Sequence, residues 1–281
     1  MIFKKLALAF TFSPNQKALL YESKYLMDLF GSELVLIHAG DKTPEAEKKI
    51  NDLIEEAAID KTKLEIVWKN GDPIKIILGT CDEKNVDLLI AGALEKENFL
   101  KYYIGSIARK IMREARCSVL VLSHPSVNRK SFEKFCVSID FSYQSEIAAA
   151  KAFEFAKLEN AKELIFIREL QLPALASTVY DSGSTEEAES KVNSWQKEEE
   201  EKIDLFIKEL NLYGMPIKKV CLYGKQGWES SNYVRKIKGD IFIIPAQPQK
   251  SKIFDRIFQH DQEFIFENLP CSVMLIRPVE Y

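Results

Sequence analysis

Gly92-Ala93-Leu94-Glu95 is followed, nine residues later, by Gly105-Ser106 at the head of a segment with helical periodicity. Glycine lets a backbone approach a ligand closely, and a helix N-terminus presents N–H groups that have no partner inside the helix. Ser106 can serve there as an N-cap or as a ligand to a bound phosphate, and Lys101, Arg109 and Lys110 bring positive charge nearby in sequence. The same residues equally make an inherited tight turn and helix cap, so both readings stand. Further along, Asp140 can hold a sugar hydroxyl or a metal, or it can cap the helix that begins after Ser142.

The other reactive residue types do not assemble into a catalytic set. His260-Asp261 has the composition of an acid/base pair, but adjacent residues on a helix point in different directions, and no nucleophile motif lies beside them. His38 falls at a strand end and His124 in a connecting segment, which are structural or solvent-facing positions. Trp68, Trp195 and Trp228 lack the spacing of a base-stacking platform. The five cysteines (Cys81, Cys117, Cys136, Cys221 and Cys271) show neither CxxC nor Cys/His ligand spacing, and several lie in or beside apolar strands. There they read as reduced, structural thiols. With no nucleophile–base pair, metal cluster or set of pKa-shifted acids, the reading is non-catalytic, with no metal required.

The elements that must position these residues alternate. Strands are expected at Leu6–Phe10, Leu34–His38, Leu64–Trp68, Leu88–Ala91 and Val119–Leu122, with helices at Pro14–Phe30, Pro44–Ile59, Pro73–Lys84 and Ile104–Glu114. Proline heads three of these helices, where its missing N–H costs nothing. Such alternation predicts a mostly parallel sheet with helices on both faces. In sheets of that kind ligands bind beyond the carboxyl ends of the strands, where the strand order reverses.

The pattern then returns. Phe3–Ser13 aligns with Phe132–Ser142 at an offset of 129 (132 minus 3), and Glu33–Ile37 lies over Glu163–Ile167. Cys117–Leu122 lies over Cys271–Ile276 at an offset of 154 (271 minus 117), so the second copy carries an insertion, mostly between Leu170 and Ser190. A longer, charge-rich helix is expected across Thr185–Leu212, and the polar segment Ser123–Ser131, broken by Pro125, separates the copies. The expected domains are residues 1–124 and 132–281, the second diverged, with its insertion at about 170–190. Halves that failed to superpose, or a single continuous sheet, would count against duplication.

With 281 residues and 46% hydrophobic content the chain can bury a substantial core. Its apolar runs are strand-sized, so no transmembrane segment is expected. Leu6–Phe12 after two lysines has the start of a secretory signal, but it is short, no cleavage site follows, and the same pattern recurs mid-chain. The expected location is the cytoplasm. A formal net charge of −3 with mixed signs argues against a nucleic-acid partner.

Asn70-Gly71-Asp72-Pro73, Val86–Gly92, Gly105-Ser106 and Cys117–Val121 together resemble the universal stress protein family, along nearly all of both copies. The resemblance implies two Rossmann-like α/β units, of the adenine nucleotide alpha hydrolase-like type, each a five-stranded parallel sheet flanked by helices. It implies that the final strands, Val119–Leu122 and Val273–Ile276, pair the copies around a pseudo-twofold axis. Family members divide into those that bind ATP in the loop after strand four and those that do not, so ATP, ADP or AMP is the implied ligand. The implied contact positions are Thr11, Ala39, Gly92, Glu95, Gly105, Ser106 and Ile107 in the first copy and Asp140 in the second. The family's acidic position after strand one is Thr11 here, and the loop's second glycine is Glu95. In the second copy the loop becomes Pro245-Ala246-Gln247-Pro248, and Gln259-His260 replaces Gly-Ser, so neither copy has every part of the site. A stress-response regulator holding an adenine nucleotide, a nucleotide-independent interaction scaffold, and more distantly a nucleotide hydrolase or transferase are the functional readings. The expected partners are a second copy of the chain and an unidentified regulatory protein.

Overall fold

A computed structural model describes residues 2–95, 102–103, 105–170, 185–225, 227–246, 265–266 and 268–278. The first half runs β1 (Lys5–Ala9), α1 (Gln16–Phe30), β2 (Glu33–Ala39), α2 (Pro44–Glu56), β3 (Leu64–Lys69), α3 (Pro73–Glu83) and β4 (Leu88–Gly92). It continues through β5 (Leu94–Glu95), β6 (Tyr102–Tyr103), α4 (Ser106–Glu114) and β7 (Ser118–Leu122). The second half runs β8 (Lys134–Ile139), α5 (Tyr143–Leu158), β9 (Glu163–Leu170), α6 (Thr185–Glu209), β10 (Ile217–Tyr223), α7 (Trp228–Lys236), β11 (Ile241–Pro245) and β12 (Ser272–Ile276).

Strand side chains alternate between two apolar layers, as a period of two requires. Leu6, Leu8, Leu34 and Leu36 enter the layer under α1, α2, α5 and α6. Ala7, Val35 and Ile37 enter the layer under α3, α4 and α7. Each buried leucine adds about 2 kcal/mol of transfer free energy, so a one-residue register slip would exchange the layers and is strongly disfavoured. Proline heads α2 and α3 as expected, with Thr43 and Asp72 as their N-caps. Pro14 does not head α1, which starts at Gln16 after N-cap Asn15. A turn bond from Gln16 N–H to the Ser13 carbonyl (3.1 Å) places Pro14 before the helix.

The strand order is β10-β9-β8-β11-β12-β7-β4-β1-β2-β3, one ten-stranded sheet in which each half supplies five strands and the final strands pair as the resemblance implied. A continuous sheet, set down as a mark against duplication, is what that pairing produces. β7 and β12 pair antiparallel, Val121 with Val273, Leu120 with Met274 and Val119 with Leu275, while every other pairing in this sheet is parallel. Joining two edges satisfies backbone groups that would otherwise be left open, and the order then reads alike from either end. Two hydrogen bonds repeat across the seam: Ser123 N–H donates to Ser272 Oγ (3.3 Å) and Arg277 N–H to Ser118 Oγ (3.1 Å). Asp87 and Asp240 each receive two backbone N–H groups at the start of the neighbouring strand, from Lys4 and Lys5 and from Glu133 and Lys134 respectively.

A buried ionic cluster holds the connecting segment between the halves. Arg129 bonds Glu22 of α1 (2.6 Å) and Glu159 after α5 (2.5 Å), and its guanidinium lies over Tyr25 (4.0 Å). All three charged side chains are at most 6% exposed. Burial raises the Glu22 pKa more than the Arg129 charge lowers it. Burial works against the Arg129 charge too, but its bonds to Glu159 and the two carboxylates outweigh that and hold it above its usual value.

Candidate functional site

Strands β1, β2, β3, β4 and β7 are parallel, so their carboxyl ends share one edge of the sheet. The order reverses between β1 and β4: β2 and β3 lie beyond β1, and β7 lies beyond β4. Thr11, Ala39 and Gly92 follow or end β1, β2 and β4, and α4 starts at Ser106, so the tertiary structure brings these positions to one cleft. Thr11 is exposed, Ala39 is half-buried opposite Lys69, and Ser106 and Ile107 are exposed on the first turn of α4. Asp140 lies at the equivalent edge of the second half, away from this cleft.

The two glycines have packing reasons of their own. A Cβ on Gly92 would stand 2.9 Å from Leu19 Cδ1, because α1 crosses directly over the end of β4. A Cβ on Gly105 would stand 2.6 Å from Leu94 Cδ1. Gly105 is the N-cap of α4 and, having no side chain, gives the helix no capping bond. Part of the loop expected to be an open cradle forms a short antiparallel ribbon, Leu94 opposite Tyr103 and Glu95 opposite Tyr102. Lys101, like residues 96–100, lies outside the described residues, as does the Glu95 side chain.

Beside Thr11, after β1, rings gather. Phe12, 38% exposed, packs edge-on against His38 at 5.0 Å, and His38 packs against Trp68 at 4.9 Å. His38 Nδ1 lies 3.0 Å from the Phe10 carbonyl, and Lys49 of α2 reaches over the Phe12 ring at 5.0 Å. Read singly, His38 was structural or solvent-facing and Trp68 lacked the spacing of a stacking platform, and only the parallel register of β1, β2 and β3 shows that they adjoin Thr11 and Ala39. Their signal in the sequence was that each ring falls within a few residues of an expected strand end.

The second half uses its strand ends differently. Asp140 Oδ1 accepts from the Ser142 N–H (3.0 Å) and hydroxyl (2.5 Å), and Ser142 in turn caps α5, so the carboxylate serves the turn that starts the helix. Phe141 between them is left-handed, φ 63°. Arg168 at the end of β9 lies over the Phe141 ring (5.0 Å) and pairs with Glu199 of α6 (3.1 Å). Beside it, Glu169 accepts from the backbone N–H groups of Gly227 (3.0 Å) and Ser230 (2.7 Å), capping α7 from another element. Burial pushes the Glu169 carboxyl up, against the pull of those donors. Gln247, Pro248, Gln259, His260 and Asp261 lie outside the described residues, as does most of the insertion.

A groove of about 660 Å³ lies at the opposite edge, where Leu29, Phe30 and Phe153 line it together with Glu154, Lys157 and Asn211, and it takes no part in the cleft. Among the described residues no group of three or more His, Cys, Asp or Glu side chains could hold a metal. Among them, too, no helix is long and apolar enough to cross a membrane.

Residues 3–123 match a model of the universal stress protein family. The first half of the chain is a universal stress protein domain. Over 93 residues the chain is 28% identical to a universal stress protein of Methanocaldococcus jannaschii, a match covering 33% of this chain and 53% of that one. The chain thus spans about half the length of that relative. The structure resembles a universal stress protein from Archaeoglobus fulgidus at TM-score 0.68 and 16% identity, covering 97% of this chain and 98% of that one. A candidate universal stress protein from Pseudomonas aeruginosa reaches TM-score 0.69 at 16% identity, with 98% and 94% covered. At that identity the likeness shows the fold, which extends beyond the universal stress protein domain into the second half.

Proposed function

We propose that this is a non-catalytic regulatory protein of the universal stress protein type, with units at residues 1–124 and 132–281, that takes an adenine nucleotide in the first unit alone. The observation that carries the reading is the state of the helix ends at the two edges. In the first unit the N-terminus of α4 has no side-chain cap, and Ser106 is exposed beside the switch point. Its N–H groups and the positive end of its dipole suit a phosphate. The Phe12, His38 and Trp68 rings offer apolar surface to a base at the ends of the neighbouring strands. In the second unit Asp140 and Glu169 already accept from backbone N–H groups of Ser142 and of Gly227 and Ser230.

Thr11 and the approach of Leu94 to Gly105 favour a second reading, a nucleotide-independent interaction scaffold. Calorimetric titration of the full chain with ATP, ADP and AMP, with and without Mg²⁺, separates the two. On the proposed reading heat is released on binding, and phosphate release stays at the catalyst-free rate. Ser106→Glu should weaken binding about tenfold or more by setting a carboxylate against the phosphate. Its thermal midpoint should hold, because a negative charge in a first helical turn is favourable. Absence of binding, or equal binding by S106E, refutes the cleft. Self-association of the whole chain and a cytoplasmic location belong to the same proposal, checked by sedimentation and by fractionation.

A further inference from the structure

Two of the five cysteines share one apolar layer in the first half. Cys81 lies on the inner face of α3, 3% exposed, and Cys117 is half-buried just before β7, both packed into the same apolar layer. Two backbone bonds fix their placement: Val86 N–H donates to the Cys81 carbonyl (2.9 Å), and Ser118 N–H donates to the Asp87 carbonyl (3.0 Å). The turn that leaves Cys81 is therefore tied to the residue that follows Cys117, and Arg116, beside Cys117, pairs with Asp82, beside Cys81 (3.6 Å). The second half is built otherwise. Gly239 N–H donates to the Val234 carbonyl (3.0 Å) as Val86 does to Cys81, so valine stands at the position of Cys81. Cys271, the counterpart of Cys117, is buried, with its thiol directed to the Ser272 carbonyl (3.2 Å).

We infer that Cys81 and Cys117 form a reversible disulfide site, in which the more accessible Cys117 reacts first and Cys81 resolves it. The oxidant is hydrogen peroxide. The Cys117 thiolate attacks the peroxide, an S–O bond forms as the O–O bond breaks, and hydroxide leaves and takes a proton to become water. The Cys81 sulfur then attacks the Cys117 sulfur, an S–S bond forms, the S–O bond breaks, and the departing hydroxide accepts the Cys81 proton. Two thiols are oxidised by two electrons, and one peroxide becomes two waters. An external dithiol supplies the two electrons for the return. With both segments fixed by these backbone bonds and by the Arg116–Asp82 pair, the two side chains are placed to close to a bond of about 2 Å. The thiol contact and burial push the Cys81 thiol up, so Cys81 is the poor first nucleophile, as the order of events requires. The closed loop contains Gly92, Gly105 and Ser106, yet the site stands on its own geometry and holds whether or not the cleft takes a nucleotide.

The test treats the reduced, full chain with hydrogen peroxide under native conditions, alkylates free thiols in denaturant, and maps peptides by mass. The expected result is a Cys81–Cys117 link with the other three cysteines alkylated, reversed by dithiothreitol. In Cys81→Val, which installs the residue of the second half, Cys117 should stop at the sulfenic acid and be trapped by a 1,3-dione. In Cys117→Ser, Cys81 should stay reduced. A chain that keeps five free thiols, a link between any other pair, or over-oxidation of Cys117 with Cys81 still free would overturn the inference. So would a C81V protein that forms as much disulfide as the wild type.

Discussion

The two halves cap the same helix by opposite means. In the first half Asp72, the N-cap of α3, accepts from Ile74 N–H (2.9 Å) and Lys75 N–H (3.0 Å) and stays in solvent. In the second half the N-cap of α7 is Gly227, which has no side chain to offer, and Glu169 supplies the acceptor from β9. A local cap leaves the neighbouring strand end free for other work, whereas a borrowed cap commits it. One shared backbone plan thus takes its helix cap from a local side chain in one half and from a neighbouring strand in the other, and the choice rests on one or two side chains.

The largest effect expected from breaking this arrangement is at the joint between the halves. Arg129→Ala leaves Glu22 and Glu159 buried without their cation, and urea denaturation should show a loss of about 3 kcal/mol. A loss under about 1 kcal/mol, as for a surface pair, would mean that the β7–β12 seam alone couples the halves. Next in size, Glu169→Ala removes both acceptors from α7 and should cost about 1 kcal/mol in a thermal or urea melt. Asp72→Ala should cost less, because water reaches the exposed start of α3 and replaces the lost oxygen. Equal costs would erase the distinction between local and borrowed caps.

The smallest effect is a difference of sign with pH. Burial raises Glu169, so its folded state favours the protonated form. That contribution is present below the ordinary glutamate range, about pH 4, and is lost as pH rises through the raised value. Backbone bonds, first from Lys75, lower Asp72 despite some desolvation. Its contribution is present above the ordinary aspartate value and is lost as pH falls through the lowered one. Wild-type stability relative to Glu169→Gln should therefore fall as pH rises, and relative to Asp72→Asn it should rise. Parallel slopes in urea midpoints across that range would sink the assignment.

How far each feature could be read beforehand follows from the range of the interaction that makes it. Strand and helix positions were legible because Leu6, Leu8, Leu34 and Leu36 alternate with their neighbours, and Pro44 and Pro73 mark helix starts; these signals act over a few residues. The seam was legible from two matching apolar runs and the family resemblance. The β5–β6 ribbon was not, because two-residue strands have no periodicity to read. Glu169 gave no sign of capping a helix 58 residues away, nor Arg129 of lying between Glu22 and Glu159.

By itself the sequence determined the α/β alternation, the repeated order of elements and the absence of a carboxylate at Thr11, since these depend on residue type and local spacing. Only the tertiary structure decided that Phe12, His38 and Trp68 adjoin, which of its two roles Asp140 takes, and that Cys81 and Cys117 share one apolar layer. Those outcomes depend on which distant groups packing brings within hydrogen-bond or van der Waals reach, and separation along the chain carries no record of that distance.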